Sequence, residues 1–456
     1  MDAAAEAKVL ESLYDRLYDA ITYSPPGRAT GLDAKPVMLM AKNLVLNPAD
    51  FTNALSPINP GTKANQNAAQ MFSAMVDAIP DVSQSPLWVD SGRKVSDTYI
   101  NAVKGANTGN QVDPNQKKIY DQAFNYLNVN QTIANFDGTS TTTLQPSPIA
   151  QTYDDNESAY ISAVTGYRTA YNGYDLSQPA DQRAWNAVAP GLQNLVDQTW
   201  NHWTRQGKQQ VEQAQNALQS TINDAVAAAI AQAQGLVQDS RLLPGALPTD
   251  PGWLLSYGMA SDWMNATSQA AQLTLRSSYL NETSSAQASS YSSGAGASWG
   301  LWSGSASYSH SDEQTNSHMD ATDFTLTAEL IQVRIMRPWF NPLLFSMKDW
   351  WVNGYDAGGL SADTVMPLVP TSFVVARNVA ITANFSEQDK SHFAESTSAG
   401  GSVGWGPFSV SGSYSHSDSN DTFSSTFNGG TLRLPGLQLL AFLCTATPSA
   451  PPLSKP

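Results

Sequence analysis

Four of the five histidines of this 456-residue chain, His310, His318, His392 and His416, fall in its C-terminal half. Two of them, His310 and His416, occupy the same place in a repeated Tyr-Ser-His-Ser-Asp sequence. Imidazole changes charge between pH 5 and 8, so such a pair could gate a change of contacts near pH 6. The plainer assignment is a shared structural job, as exposed or cross-strand polar partners. There is no G-x-x-x-x-G-K-[ST], no strand-linked G-x-G-x-x-G and no H-E-x-x-H. The single cysteine, Cys444, excludes an intrachain disulfide and a thiolate metal site. It sits in the apolar run 439–443, where a small buried hydrophobe is expected. The chain is therefore expected not to be an enzyme, with no catalytic residue, cofactor, metal or small-molecule substrate.

The histidines belong to two near copies of one stretch. Residues 299–312 read W-G-L-W-S-G-S-A-S-Y-S-H-S-D, and residues 405–418 read W-G-P-F-S-V-S-G-S-Y-S-H-S-D, identical at ten of fourteen positions. Serine recurs at every second residue in both, which is the period of a strand and places a row of hydroxyls on one face. Gly294, Gly296 and Gly300 in the first copy, and Gly404 and Gly406 in the second, supply turn conformations closed to other residues. Each turn then carries an aromatic tip, Trp299 and Trp302 or Trp405 and Phe408, with Tyr308 and Tyr414 further along. No Asp, Glu, Lys or Arg occurs in 283–311 or in 396–417, although soluble proteins usually protect long strand edges with charge.

The elements that hold these hairpins follow from pattern. Apolar spacing predicts helices over 5–23, 65–79, 95–104, 114–128 and 155–172, with a shorter one over 36–46. Residues 136–151 read as a polar linker. The longest helical stripe, 180–241, has a candidate break at Pro190-Gly191 and otherwise makes one long helix packed in a bundle. Proline and glycine cluster at 243–252, and the vocabulary then shifts from Ala/Gln/Asn to Ser/Thr/Gly with β-branched residues. Four core strands are expected at 269–282, 323–336, 372–386 and 430–444, with an aromatic connector at 337–371. The fold class is α+β: a helical domain over 1–245, then an antiparallel β domain over 246–446. That domain carries two long Ser/Gly-rich hairpins at 283–322 and 387–429, and 447–456 forms a disordered tail.

Composition bounds the function. Charged residues make up 14% of the chain, below the ~25% usual in soluble domains, and the net charge is −15 with a pI near 4.6. Phosphate neutralisation cannot drive binding by such a chain, so nucleic acid is not an expected partner. The N-terminus lacks a basic region followed by an apolar one, and no run of ~18 apolar residues exists. Synthesis as a soluble cytoplasmic protein without a signal peptide is expected, followed by release or delivery to a target membrane.

Strands of ~10 residues per leg span a bilayer, and their open edges must close into a multi-subunit barrel. Four core strands interrupted by two convertible hairpins, behind a helical region, resemble the plan of perforin- and cytolysin-type pore formers. The resemblance lies in the order of elements. Their signature motif is absent, so no residue role is carried over. It implies a non-enzymatic homo-oligomer whose hairpins enter a lipid membrane. Their aromatic residues, Trp299, Trp302, Tyr308, Trp405, Phe408 and Tyr414, are the expected membrane or assembly contacts. The alternative is a self-assembling filament, tube or shell in which the hairpins pair between subunits. A third reading is a β domain whose hairpins simply pack on the helical half.

Overall fold

The computed structural model describes residues 3–26, 36–57, 59, 65–84, 86–108, 113–134, 138, 140–222, 225–242, 253–265, 268–277, 285–290, 302–304, 324–347, 350–352, 364–385, 387, 390–391, 393–394, 402–416 and 421–448. The fold is α+β. The main sheet has eight described strands, five of which run in the order Val37–Leu46, Leu437–Ala446, Leu368–Thr382, Thr325–Met336 and Ala271–Arg276, each antiparallel to its neighbour. The last four are the strands expected from the C-terminal half.

Alternation explains why Thr325–Met336 is a strand. Leu326, Ala328 and Leu330 enter one apolar core, and Ile331, Val333 and Ile335 enter another on the opposite face. The facing strand splits likewise, with Val374 and Ala376 on one side and Phe373 and Val375 on the other. A sheet covered on both faces needs helices from elsewhere in the chain. Helix α1 (Ala3–Thr22) covers the first face with Val9, Leu10, Leu13, Tyr14, Leu17 and Ile21. Helix α2 (Gln66–Val76) covers the second with Phe72, Met75 and Val76.

The fifth strand corrects the sequence-based expectation for 36–46, which is a strand and not a helix. Its V-M-L-M-A-K-N-L-V-L run is apolar toward both faces, so it carries neither period clearly, and pairing with Leu437–Ala446 decides the outcome. The chain thus places part of its N-terminal half in the C-terminal sheet. The expected linker over 136–151 is a second correction. Asn128–Ala134 and Ser140–Pro146 form a β-hairpin, and helix α5 starts at once behind it.

The remaining helices are α3 (Val95–Gly105), α4 (Pro114–Leu127), α5 (Pro148–Asn172), α6 (Pro179–Arg205), α7 (Lys208–Thr221) and α8 (Val226–Asp239). The expected stripe over 180–241 is three of these. Helix α6 continues through Pro190, and the first break falls at Gly207, whose φ of 91° ends one helix and starts the next. A Cβ at Gly207 would lie 2.9 Å from Ile149 Cγ1, so only glycine fits there. Trp203 of α6 packs on Tyr153 and Tyr160 of α5, with ring centroids 5.3 and 5.6 Å apart. Cys444 is fully buried in the core under α2, and burial pushes its thiol pKa up.

Candidate functional site

Both serine-rich inserts leave the main sheet at one end. Arg276 pairs with Thr325, Thr325 with Thr382, and Thr382 with Thr431, so these four residues form a single row across the strands. The first insert joins Arg276 to Thr325 and the second joins Thr382 to Thr431. The connector between the middle strands runs at the opposite end.

Beyond that row the inserts build a second, four-stranded sheet in the order Trp302–Gly304, Val403–Trp405, Phe408–Ser413, Thr422–Ser424. The two repeats meet within it. Trp405 pairs with Phe408 on one side and with Trp302 on the other, and Gly404 pairs with Ser409 and with Ser303. Trp302 and Phe408 are the equivalent positions of the two copies, as are Ser303 and Ser409. The Val403–Trp405 strand is therefore flanked by matching halves of both repeats. From Thr422–Ser424 the second insert continues into a further hairpin, Thr426–Asn428 with Thr431–Arg433, whose second strand pairs with Leu368–Thr382.

The second hairpin turns at Gly406-Pro407, whereas Gly404, also expected in the turn, is paired within the Val403–Trp405 strand because the tight turn needs only two residues. Gly406 has a φ of 56°, and a glycine of positive φ followed by proline is the pattern of a type II′ loop. The aromatics at this turn point inward. Trp405 and Phe408 are both 0% exposed and join Val403 and Val410 in the core beneath α1. Trp405 stacks on Phe324 with centroids 5.7 Å apart, and a Cβ at Gly406 would lie 3.3 Å from Leu10 Cδ2. Burying each ring is worth roughly 2–3 kcal/mol, although the Trp405 Nε1–H has no hydrogen-bond partner there.

Part of the hydroxyl row is covered as well, although Ser413 is exposed. Ser409 and Ser411 are buried like Val410 between them. The Gln438 side chain accepts from Ser409 N at 2.9 Å and donates to Ser409 O at 3.2 Å. Tyr414 is half-buried against Phe423, 5.0 Å between centroids. The next residue, Ser415, donates its N–H to Val45 O at 2.7 Å. His416 follows with a φ of 53°; its ring is exposed, while the protein packed around it lowers its pKa. Trp302 is described through its strand pairing. Trp299, Tyr308, His310, Gly294, Gly296 and Gly300 lie outside the described residues, as do 449–456 of the expected tail.

Helix α1 holds both inserts. It packs on the Trp405 turn through Leu10, and its Asp15 accepts from Ser285 N at 3.0 Å and from the Ser285 hydroxyl, at the root of the first insert. Helix α5 braces α1 in turn: Arg168 Nε and Nη2 donate to Asp19 at 2.7 and 3.0 Å. At its other end α5 grips the main sheet. Glu157 accepts from Arg334 Nη1, and Asp154 lies 3.6 Å from the same nitrogen. Burial raises the Asp154 carboxyl to a pKa of about 6 even though Arg334 opposes the shift. The sequence signals for these two contacts are an arginine inside an apolar strand and an aspartate on the polar edge of α1.

Among the described residues there is no group of three His, Cys, Asp or Glu able to hold a metal ion, and no helix is long and apolar enough to cross a membrane. Compared with protein-family models, curated proteins and solved structures, the chain matches none.

Proposed function

We propose that the protein is a non-enzymatic, oligomerising, membrane-active protein whose two inserts are released from α1 and enter a bilayer as strands of a multi-subunit barrel. The observation that carries this reading is that both inserts leave the same end of the main sheet and meet in one small sheet, where Trp302–Gly304 of the first pairs with Val403–Trp405 of the second. The 24 residues of 277–300 reach on the order of 80 Å when extended. About 10 residues suffice for one crossing. The charge-free spans 283–311 and 396–417 remove the groups most costly to place in hydrocarbon. Trp405 and Phe408 are buried under α1, so on this reading that packing stores the protein before it meets lipid. Targeting by release or delivery belongs to the same reading.

The test ties α1 to the first insert. Asp15→Cys with Ser285→Cys allows a disulfide where a hydrogen bond now stands, and the buried Cys444 does not compete. The wild type should release carboxyfluorescein from liposomes. The oxidised double variant should not, and dithiothreitol should restore release. Equal leakage from the oxidised and reduced variant, or none from the wild type, overturns the proposal. Rings or filaments that form without lipid and cause no leakage favour the self-assembling alternative.

A further inference from the structure

The hairpin of Asn128–Ala134 with Ser140–Pro146 lies outside both inserts. Its seven residue pairs run without a register shift, and among the described residues no third strand joins it. The base is anchored: Gln145 is buried, and Leu127 and Leu144 pack on the core shared by α4, α7 and α8. Beyond the base the ribbon is open. Val129 on one face and Asn130 and Thr132 on the other are exposed, as are Ser140 and Thr142 of the second strand. A two-stranded ribbon without a cover is marginally stable in water. An edge strand presents N–H and C=O groups outward at every second residue, ready to pair with another strand. Proteins usually blunt such an edge with lysine, proline or a bulge. The N-V-N-Q-T-I-A strand has none of these. Asp137 is the one charged residue in 122–153.

Apolar exposure collects at the same place. Five large apolar side chains are exposed among the described residues, and three of them, Ile119, Tyr126 and Val129, fall within 119–129. Ile119 and Tyr126 lie two turns apart on one face of α4, which runs directly into the strand. Charge selects the occupant. The chain carries −15, whereas 113–136 holds two lysines and two aspartates and sums to zero. A cationic partner would be drawn to acidic faces, while two copies repel each other least where both are neutral. The strand also complements itself: antiparallel pairing centred on Gln131 uses all seven residues, with Val129 opposite Ile133 and Asn130 opposite Thr132. We propose that Asn128–Ala134 pairs with the same strand of a second copy about a two-fold axis at Gln131, which joins the two hairpins into one four-stranded sheet. This names one interface of the oligomer in the proposed function, and it rests on that reading only in requiring copies to associate.

Sedimentation velocity on the full chain without lipid tests the pairing separately from liposome leakage, so failure of this interface and failure of membrane insertion are told apart. The wild type should show a concentration-dependent monomer–dimer equilibrium. Val129→Lys with Gln131→Lys, both at the open edge, should weaken it by about tenfold or more, since like charges then face each other across the seam. A second variant reads the register. Gln131→Cys places two thiols across the two-fold axis at the ~4.5–5.5 Å Cα separation of an antiparallel pair, within reach of a disulfide. It should form a covalent dimer on mild oxidation, while the buried Cys444 does not compete. Thr142→Cys, one strand further out, would sit roughly 14 Å from its copy and should stay monomeric. A monomer at every concentration, an unchanged equilibrium in a folded lysine variant, or crosslinking at 142 as fast as at 131 each overturns the proposal.

Discussion

Gly406 and Asp154 show how single residues set the hold on the inserts. A side chain at Gly406 would have to adopt a φ of 56° and press on Leu10 Cδ2 from 3.3 Å. Gly406→Ala should lower stability by roughly 1–2 kcal/mol from the left-handed conformation alone. Urea unfolding measures this, and an unchanged midpoint would show that the turn bears no such strain. Asp154 acts through protons. Its folded-state pKa of about 6 lies above the ordinary aspartate value, so the folded protein binds the proton more tightly than the unfolded chain. Its contribution to stability therefore grows as pH falls from about 6 toward 4, by up to about 3 kcal/mol in total. Asp154→Asn should remove that increment: wild type minus variant stability becomes more favourable at pH 4.5 than at pH 6.5. A constant difference would contradict the buried placement of this carboxyl. Acid thus tightens the grip of α5 on the sheet through this group. His416 has the opposite sign, since its lowered pKa favours the unpacked form as pH falls below its ordinary value.

At the scale of elements, α1 decides whether the inserts stay packed. Leu13 is 1% exposed and belongs to the core that also holds Trp405 and Phe408. Leu13→Ala should cost about 2–5 kcal/mol. Hydrogen exchange at 403–413 and 285–290 should then accelerate more than exchange in the Leu368–Thr382 strand. Equal acceleration everywhere would mean that α1 supports the fold as a whole and not the inserts in particular. The sequence made the four C-terminal strands legible because β-branched residues alternate between their faces. It hid the Val37–Leu46 strand, whose two buried faces erase that alternation. It also hid the hairpin of Asn128–Ala134 with Ser140–Pro146, where Thr, Asn and Gln leave no apolar period to read. Gly207 was overlooked as a break because Pro190 offered a more obvious one, yet a proline ring turned to the surface is tolerated while a φ of 91° is not helical. At the site, glycine and proline located the turn at 406–407. The direction of Trp405 was not legible, because turn chemistry does not encode what covers the turn; that depends on α1, some 390 residues earlier.

At the scale of the whole molecule, the main sheet is wrapped on both faces and its two unusual inserts leave from one end. Its outermost strand, Val37–Leu46, hydrogen-bonds to Leu437–Ala446, so the sheet joins the first tenth of the chain to nearly its last residues. That pairing governs the order of events during synthesis. At about 5–20 residues per second, a ribosome needs roughly 20–80 s to make the partner of a strand it has already released. Throughout that interval the nascent chain carries an apolar strand with no neighbour, and closing a loop of nearly 400 residues comes last. Helices α3 to α8 can form early from local contacts, whereas the main sheet and the seat of α1 on the Trp405 turn wait for the final strands. A stalled or shortened chain therefore lacks the finished sheet on which α1 seats the Trp405 turn.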